Sequence, residues 1–376
     1  MRPRLKLTTE VIALDSGDIC LLRPSADCDL IVEQPDDAIR VLLTRLDGRA
    51  TAAELCDRLG EAATASALRQ LAELGALEDA DLDDRLPKHV RSRYDRQLRY
   101  FSDIADPPAT AVGCQQRLSE ATVTILGLGG LGSWAAYALA CCGIGRLSLV
   151  DGDRVEESNL NRQILYRESD LGLLKAPAAA RALRAFASSV EMDAVPQQLS
   201  SEAEVADAVR DADFVVDAAD RPAHLFERWV NSVCFKLAIP YITMSHFPPV
   251  ARVGPLYVPG TTGCYACQEA TYRRSFPLFD EVVARREGQP SPAASFGPAC
   301  GLVGSAVALE TVHQLTGLCS PSTLGRALIF DLRTMGVSWE PVPIEPDCAV
   351  CRPDSDPGRV PECLRGHGLL RVFMSG

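Results

Sequence analysis

One run of the chain, Thr122 to Arg162 (TVTILGLGGLGSWAAYALACCGIGRLSLVDGDRVEESNLNR), gathers glycines and polar groups in the order of a nucleotide site. Thr122–Leu126 has the length and composition of a buried strand and turns through Gly127, Gly129, Gly130 and Gly132 into an apolar helix. A second apolar stretch, Leu147–Val150, ends on Asp151. Glycines at such a turn let a backbone approach a phosphate, the helix start supplies unpaired N–H donors, and an acid after the second strand accepts ribose hydroxyls. The glycine pattern alone serves NAD and FAD enzymes as well as ATP enzymes.

The residues that follow separate these. Asp153, Asn159, Arg162 and Gln163 leave the second strand, Lys175 comes a turn or so into the next helix, and Asp220 ends a further buried strand, FVVDAAD. A dinucleotide needs one acid for its ribose. A triphosphate split at the α-phosphate needs cations on the phosphates and a carboxylate to hold Mg2+, so this set fits ATP.

GLGGLG, VDGDRVEESNLNRQ, LGLLKA and DAAD together, with RYDRQLRYF upstream, resemble the adenylating superfamily of the ubiquitin-activating enzymes and their bacterial relatives for molybdopterin and thiamine synthesis, the ThiF, MoeB and HesA proteins. The resemblance covers roughly residues 90–352. It implies attack of a carboxylate on the α-phosphate of Mg-ATP, giving an acyl adenylate and pyrophosphate. It further implies that Asp151 holds the ribose, that Asn159, Arg162 and Lys175 steady the phosphates beside the glycines, Asp153 and Gln163, and that Asp220 binds Mg2+. By the same resemblance Arg96 reaches the γ-phosphate of a neighbouring subunit, which makes the protein a homodimer. One departure stands out: Arg221 follows Asp220 where the family often has Asn.

Two pairs, Cys264-Tyr-Ala-Cys267 and Cys348-Ala-Val-Cys351, lie in Gly- or Pro-flanked loops and can wrap one tetrahedral Zn2+ although far apart in the chain. Four thiolates leave no open position, so the zinc would be structural. The plainer alternative is two unrelated thiol pairs. Cys300 opens an apolar helix whose dipole can lower its pKa, in a region where relatives carry a reactive cysteine, yet buried packing accounts for it as well. Cys141 and Cys142 belong to packing. His89, His224, His246, His313 and His367 show no ligand spacing and are assigned no chemistry. Thr271–Pro298 reads as a long, mobile crossing loop.

The first 85 residues lie outside the nucleotide pattern. Two β-prone stretches, LKLTTEVIAL and DICLLRP, precede two helices broken at Asp47-Gly48, with Thr51 placed to cap the second. A third helix, Thr64–Leu74, runs into Gly75 and the short strand Ala76-Leu77-Glu78. This order, with LDGRATAAEL and LAELGAL, resembles the winged-helix recognition domain that guides enzymes modifying ribosomally made peptides. DNA is the other usual guest of such a domain, but helix Ala52–Arg58 carries Glu54 and Asp57 against Arg58 alone. A plain dimerisation extension is a further alternative.

The expected fold is therefore α/β, a Rossmann-like adenylation fold with a mostly parallel sheet, preceded by a small winged-helix-like α+β domain. Its expected parts are residues 1–85 for peptide recognition, 86–110 as linker and arm, 111–352 for ATP binding, adenylation and zinc, and 353–376 as a tail. The chain has 376 residues and 47% hydrophobic content, enough for full cores, and no apolar run of about 18 residues to span a membrane. MRPRLKLTTE lacks the apolar centre of a signal peptide, and 14 cysteines without one point to thiols and metal ligands in the cytoplasm. The net charge of −12 argues against a nucleic-acid partner.

The combination resembles the peptide-modifying branch of the superfamily, the enzymes of the microcin C and pantocin A pathways. It implies a short ribosomal precursor peptide as partner, with a carboxyl or carboxamide activated by ATP. The alternatives are adenylation of a C-terminal Gly-Gly sulfur-carrier protein, a binding module that keeps the nucleotide pocket without catalysis, and an NAD-dependent oxidoreductase. The last two have no use for the joint presence of Arg96, Arg162, Lys175 and Asp220.

Overall fold

The computed structural model describes residues 1–23, 29–105, 108–286 and 294–352. The expected C-terminal tail, residues 353–376, lies outside them.

The N-terminal residues form β1 (Pro3–Leu5), β2 (Glu10–Ala13), β3 (Ile19–Leu22), β4 (Leu30–Val32), α1 (Asp37–Arg45), α2 (Ala52–Leu59), α3 (Glu61–Glu73) and β5 (Leu77–Asp79). The stretch LKLTTEVIAL is not one strand. A turn closed by Thr9 N–H on Lys6 C=O divides it, so that β1 pairs with β5 while β2, β3 and β4 make a separate antiparallel sheet. Thr51 caps α2 in a reciprocal box with Glu54, each side chain satisfying the other's backbone N–H. The third helix begins at Glu61, earlier than its apolar spacing indicates, because Gly60 at φ +100° turns the chain straight from α2 into α3. Leu5, Leu21, Leu42, Leu55, Leu68 and Leu71 close an apolar core drawn only from this region.

An arm of α4 (Lys88–Arg93), α5 (Asp95–Ile104) and α6 (Ala111–Glu120) leads into alternating strands and helices: β6 (Thr122–Leu126), α7 (Gly130–Cys142), β7 (Arg146–Val150), α8 (Lys175–Arg184), β8 (Glu191–Val195), α9 (Glu202–Val209), β9 (Phe214–Asp217) and α10 (Leu225–Leu237). The chain closes with β10 (Tyr241–Phe247), β11 (Val250–Tyr257), α11 (Tyr265–Ser275), α12 (Phe279–Arg286), α13 (Gly297–Thr316), β12 (Arg326–Asp331) and β13 (Gly336–Pro341).

These strands build one eight-stranded sheet in the order β13-β12-β11-β10-β9-β6-β7-β8. The five strands from β10 to β8 are parallel, and β11, β12 and β13 continue from β10 as an antiparallel meander. Strands such as β6 and β9 are apolar along nearly their whole length because helices cover both faces. On one face α7, α8 and α13 pack Ala135, Leu139, Leu183, Val303 and Val307 against Val123, Ile125 and Leu149. On the other, α9, α10 and α11 pack Val205, Val230 and Cys267 against Val215 and Tyr241. The segment expected as a crossing loop is largely helical, since Thr271–Ser275 completes α11 and α12 follows, while its residues 287–293 lie outside those described. Among the described residues, no helix is long and apolar enough to cross a membrane.

Candidate functional site

β6, β7 and β9 end at the same edge of the sheet, and the glycine turn joins β6 to α7 there. Gly127 sits at φ +90°, and a Cβ on it would lie 2.8 Å from Ala218 O; on Gly132 it would lie 1.9 Å from Gly127 O. Those two glycines are required by the chain's own packing. Gly129 is different: its φ of −71° suits any residue, and a Cβ there would meet nothing nearer than Gln163 Nε2 at 4.0 Å. Glycine at that position keeps a space clear outside the fold, at the uncapped start of α7 where backbone N–H groups face outward.

Asp151 braces the turn. Its Oδ2 accepts from Leu128 N–H at 2.7 Å and its Oδ1 from Asp153 N–H at 2.8 Å. Burial pushes its carboxyl up, opposed by the Lys175 charge. Lys175 is the first residue of α8, not one turn inside it, and its Nζ lies 2.8 Å from Asp153 Oδ2. Asn159 is buried, with Oδ1 accepting from Glu156 N–H at 3.1 Å. Arg162 lies beside Gly130, its Nη1 donating to Ser158 O at 2.5 Å, and Trp134 Nε1 fixes its backbone by donating to Arg162 O at 3.1 Å. Gln163 is 3% exposed, and its Oε1 has no partner among the described residues. Thus Gly129, Gly130, Asp151, Asp153, Arg162, Gln163 and Lys175 come together around one edge.

Asp220 does not end a strand. β9 stops at Asp217, and Asp220 stands exposed in the following loop, whose Ala218 lies against Gly127. Arg221 is also exposed. Arg96, near the start of α5, has a side chain 90% exposed and among the described residues reaches only Asp95, at 3.9 Å. Within one chain it joins none of the other residues.

Two acids below this loop had no distinguishing signal except an acid closing an apolar strand. Asp217 is 3% exposed; its Oδ1 accepts from Ala219 N–H at 3.4 Å and its Oδ2 has no partner among the described residues. Burial, then the Glu227 charge, pushes its carboxyl well above the usual range. Burial also pushes Glu227 up to about 7, with Glu269 and Asp220 adding repulsion. Cys300 is buried, with Sγ 3.3 Å from Ser295 Oγ and 2.8 Å from where a Gly130 Cβ would be. It closes the packing between α13 and the turn.

The two Cys-x-x-Cys pairs converge on the far side of the sheet. Cys264 and Cys348 are 3.5 Å apart, Cys267 and Cys351 likewise, and all four sulfurs lie within 4.8 Å of one another. Tetrahedral Zn2+ with bonds near 2.3 Å requires sulfurs about 3.8 Å apart, so the donor set fits zinc. Cys264 immediately precedes α11 and Cys351 follows β13, so a metal there would tie the end of the described chain to the sheet.

Residues 94–352 match the ThiF family model. The sulfur carrier protein ThiS adenylyltransferase of Escherichia coli is 34% identical over 261 residues, which are 69% of this chain and 94% of that protein. The sulfur carrier protein adenylyltransferase of Thermus thermophilus is 32% identical over 71% of this chain and 93% of its own. The adenylyltransferase and sulfurtransferase MOCS3 of Mus musculus is 35% identical over 70% of this chain, which spans 54% of that protein's length. Among solved structures, PaaA aligns with a TM-score of 0.70 at 28% identity, covering 89% of this chain and 98% of its own. Escherichia coli MccB with ATP aligns with a TM-score of 0.72 at 24% identity, covering 93% and 100%.

Proposed function

The chain belongs to the ThiF family, whose members are ATP-dependent adenylating enzymes, and we propose that it activates a carboxyl or carboxamide group of a short, ribosomally made precursor peptide on the way to a peptide natural product. The observation that carries this reading is how far each likeness extends. The ThiS adenylyltransferase is almost wholly accounted for by 69% of this chain. The likeness to PaaA leaves 11% uncovered, about 41 residues, fewer than the 85 at the N-terminus. The likeness to MccB, a microcin C7 biosynthetic enzyme solved with N-formylated MccA, covers 93% of this chain.

In this reading the first 85 residues hold the non-reacting part of the peptide, through a strand added to the edge of a short sheet near Leu5–Leu22. The peptide's carboxylate oxygen attacks the α-phosphorus of ATP, and pyrophosphate leaves. Asn159, Arg162 and Lys175 steady the phosphates and Asp151 the ribose, and Asp220 would hold Mg2+, which when bound would neutralise charge on the leaving group. A neighbouring amide nitrogen then attacks the activated carbonyl, gives up its proton to water, expels AMP and closes a ring, without an enzyme thiol. Arg96 reaches the site of a second copy in a homodimer, and zinc on Cys264, Cys267, Cys348 and Cys351 is structural.

A second reading, adenylation of a sulfur-carrier protein, is favoured by the 34% identity to the ThiS adenylyltransferase. Incubation with Mg-ATP and either the peptides encoded by short reading frames beside the gene or Escherichia coli ThiS separates the two. Loss of water from, or addition of AMP to, a peptide by mass supports the first. Adenylation of ThiS alone overturns it.

A further inference from the structure

β9 and β10 run side by side and share their last rung at Asp217 and Thr243. Each chain then continues three residues, to Asp220 on one side and to His246 on the other. β9 stops, and its continuation folds against the glycine turn. β10 does not stop; it runs on to Phe247, paired only with β11. At about 3.3 Å per residue, shortened where β10 shifts register between Ile242 and Met244, His246 stands at most roughly 10 Å beyond that last shared rung.

The pairing His246↔Ala251 sets the imidazole on the same face as Ala251, and Ala251 belongs to the apolar cluster of Val303 and Val307 on α13. α13 begins at this edge, with Cys300 against Gly130 and with Gly297 2.8 Å, measured from a built Cβ, from Asn161 O. His246 therefore overhangs the rim between the start of α13 and the loop that carries Asp220. That rim is where the acyl end of a substrate must lie if its carboxylate is to reach an α-phosphate at the turn.

The ring is uncommitted. Among the described residues, Nδ1 is buried without a partner and Nε2 is neither sealed in nor bonded. Burial holds the imidazole below its ordinary pKa, so it is neutral near pH 7. A neutral ring has one N–H and one lone pair, and a buried N–H without an acceptor is the costlier orphan. The lone pair therefore belongs on Nδ1 and the hydrogen on Nε2, the nitrogen that is not sealed in.

The geometry points to His246 as a catalytic residue of acyl transfer: its Nε2–H donates to the carbonyl oxygen of the acyl adenylate as a nucleophile adds to the carbon. The new bond to carbon opens C=O to an oxyanion held by Nε2–H. The carbonyl re-forms as the C–O bond to AMP breaks, and AMP leaves with that electron pair. The nucleophile's proton passes to water, and His246 stays neutral throughout. The inference rests on the adenylating activity and applies to a peptide or a carrier protein alike.

The test separates the two half-reactions in the full-length protein. ATP–pyrophosphate exchange reports adenylation, and hydroxamate formation with added hydroxylamine reports attack on the carbonyl. His246→Ala should leave exchange close to wild type and slow hydroxamate formation by about 100-fold, the scale of one lost oxyanion donor, with acyl adenylate accumulating. His246→Gln, which keeps an N–H donor, should recover part of the rate and keeps the test decisive where the alanine variant fails to fold. Equal loss of both half-reactions, or of neither, overturns the assignment. Wild-type exchange with the short peptides against ThiS tests the substrate reading separately, because the ratio of the two steps is measured with whichever donor supports exchange.

Discussion

The Lys175 ammonium lies 2.8 Å from the Asp153 carboxylate, and the two sides of the pair are unequal: the lysine side chain is 7% exposed and the aspartate 62%. A buried cation needs an anion, and this one holds a partner that can swing into water when a polyanion arrives. Lys175→Ala should lower kcat/KM for ATP by about 100-fold, the loss of one phosphate cation. Asp153→Ala should instead lower stability by roughly 1–2 kcal/mol, the buried-pair penalty reduced by the solvent around Asp153. Mg-ATP should then raise its melting temperature more than it raises that of the wild type. Equal thermal shifts in both proteins would show that ATP does not take over the lysine.

Arg96 presents the opposite case, a cation that meets only Asp95 among the described residues of its own chain. If it completes the site of a second copy, Arg96→Ala and Asp220→Ala should each be nearly inactive, and mixing them should restore part of the activity through hybrid dimers with one whole site. Activity of the mixture no greater than that of its components would confine Arg96 to its own subunit or to no role.

The sites that were legible in the sequence are those whose residues sit close together in the chain or repeat a spacing. The glycine turn, Asp151, Arg162 and the two Cys-x-x-Cys pairs follow from strand–turn–helix order and from the demands of phosphate and zinc. Thr51 was legible as a cap because its partner Glu54 is three residues away. Long-range packing was not. Gln163 and Lys175 are buried by the way the chain folds back from β7 to α8, and no local pattern marks them as buried. The split of LKLTTEVIAL between two sheets depends on β5, more than sixty residues away. His246 carried no ligand spacing, and only the overrun of β10 past β9 gives it a place.

Zinc is expected at about one ion per chain. Four thiols within 4.8 Å are held together more firmly by a cation than by each other. Cys348→Ser should lower both metal content and melting temperature, and removal of zinc by a strong chelator should loosen the link between α11 and the segment after β13. Metal analysis of unchelated protein showing no zinc would overturn the assignment.

Stability should depend on Glu227 in a defined pH window. Its carboxyl, raised by burial from an ordinary 4.5 to about 7, binds a proton in the folded chain that the unfolded chain has already released. The folded state therefore holds more protons between those values, and stability falls as pH rises from about 4.5 to about 7. The fall amounts to about 3 kcal/mol at most. Glu227→Gln should remove this component, so the difference in melting temperature between variant and wild type should grow between pH 5 and pH 8. A difference independent of pH would mean that Glu227 is already ionised at pH 5.

The N-terminal residues provide the most direct test of the peptide reading. Among the described residues, their apolar core runs from Leu5 to Leu77 with no member from the arm, and their contacts with the arm include three polar ones. Thr8 bonds Asp103, Ser102 Oγ donates to Glu78 Oε2 at 2.5 Å, and Arg99 Nη1 donates to Leu7 O at 3.2 Å. Deleting residues 1–85 therefore removes no member of the two large apolar clusters of the remainder, and the truncated enzyme should fold and bind Mg-ATP nearly as the full chain does. If these residues hold the non-reacting part of a peptide, their binding energy keeps the carboxylate at the α-phosphate, and its loss should raise the apparent KM for peptide by orders of magnitude. ATP–pyrophosphate exchange measured against peptide concentration reads this directly, with ATP affinity as the internal control. A folded truncation that processes the peptide as well as the full chain would remove the recognition role from residues 1–85 and move the sulfur-carrier reading ahead.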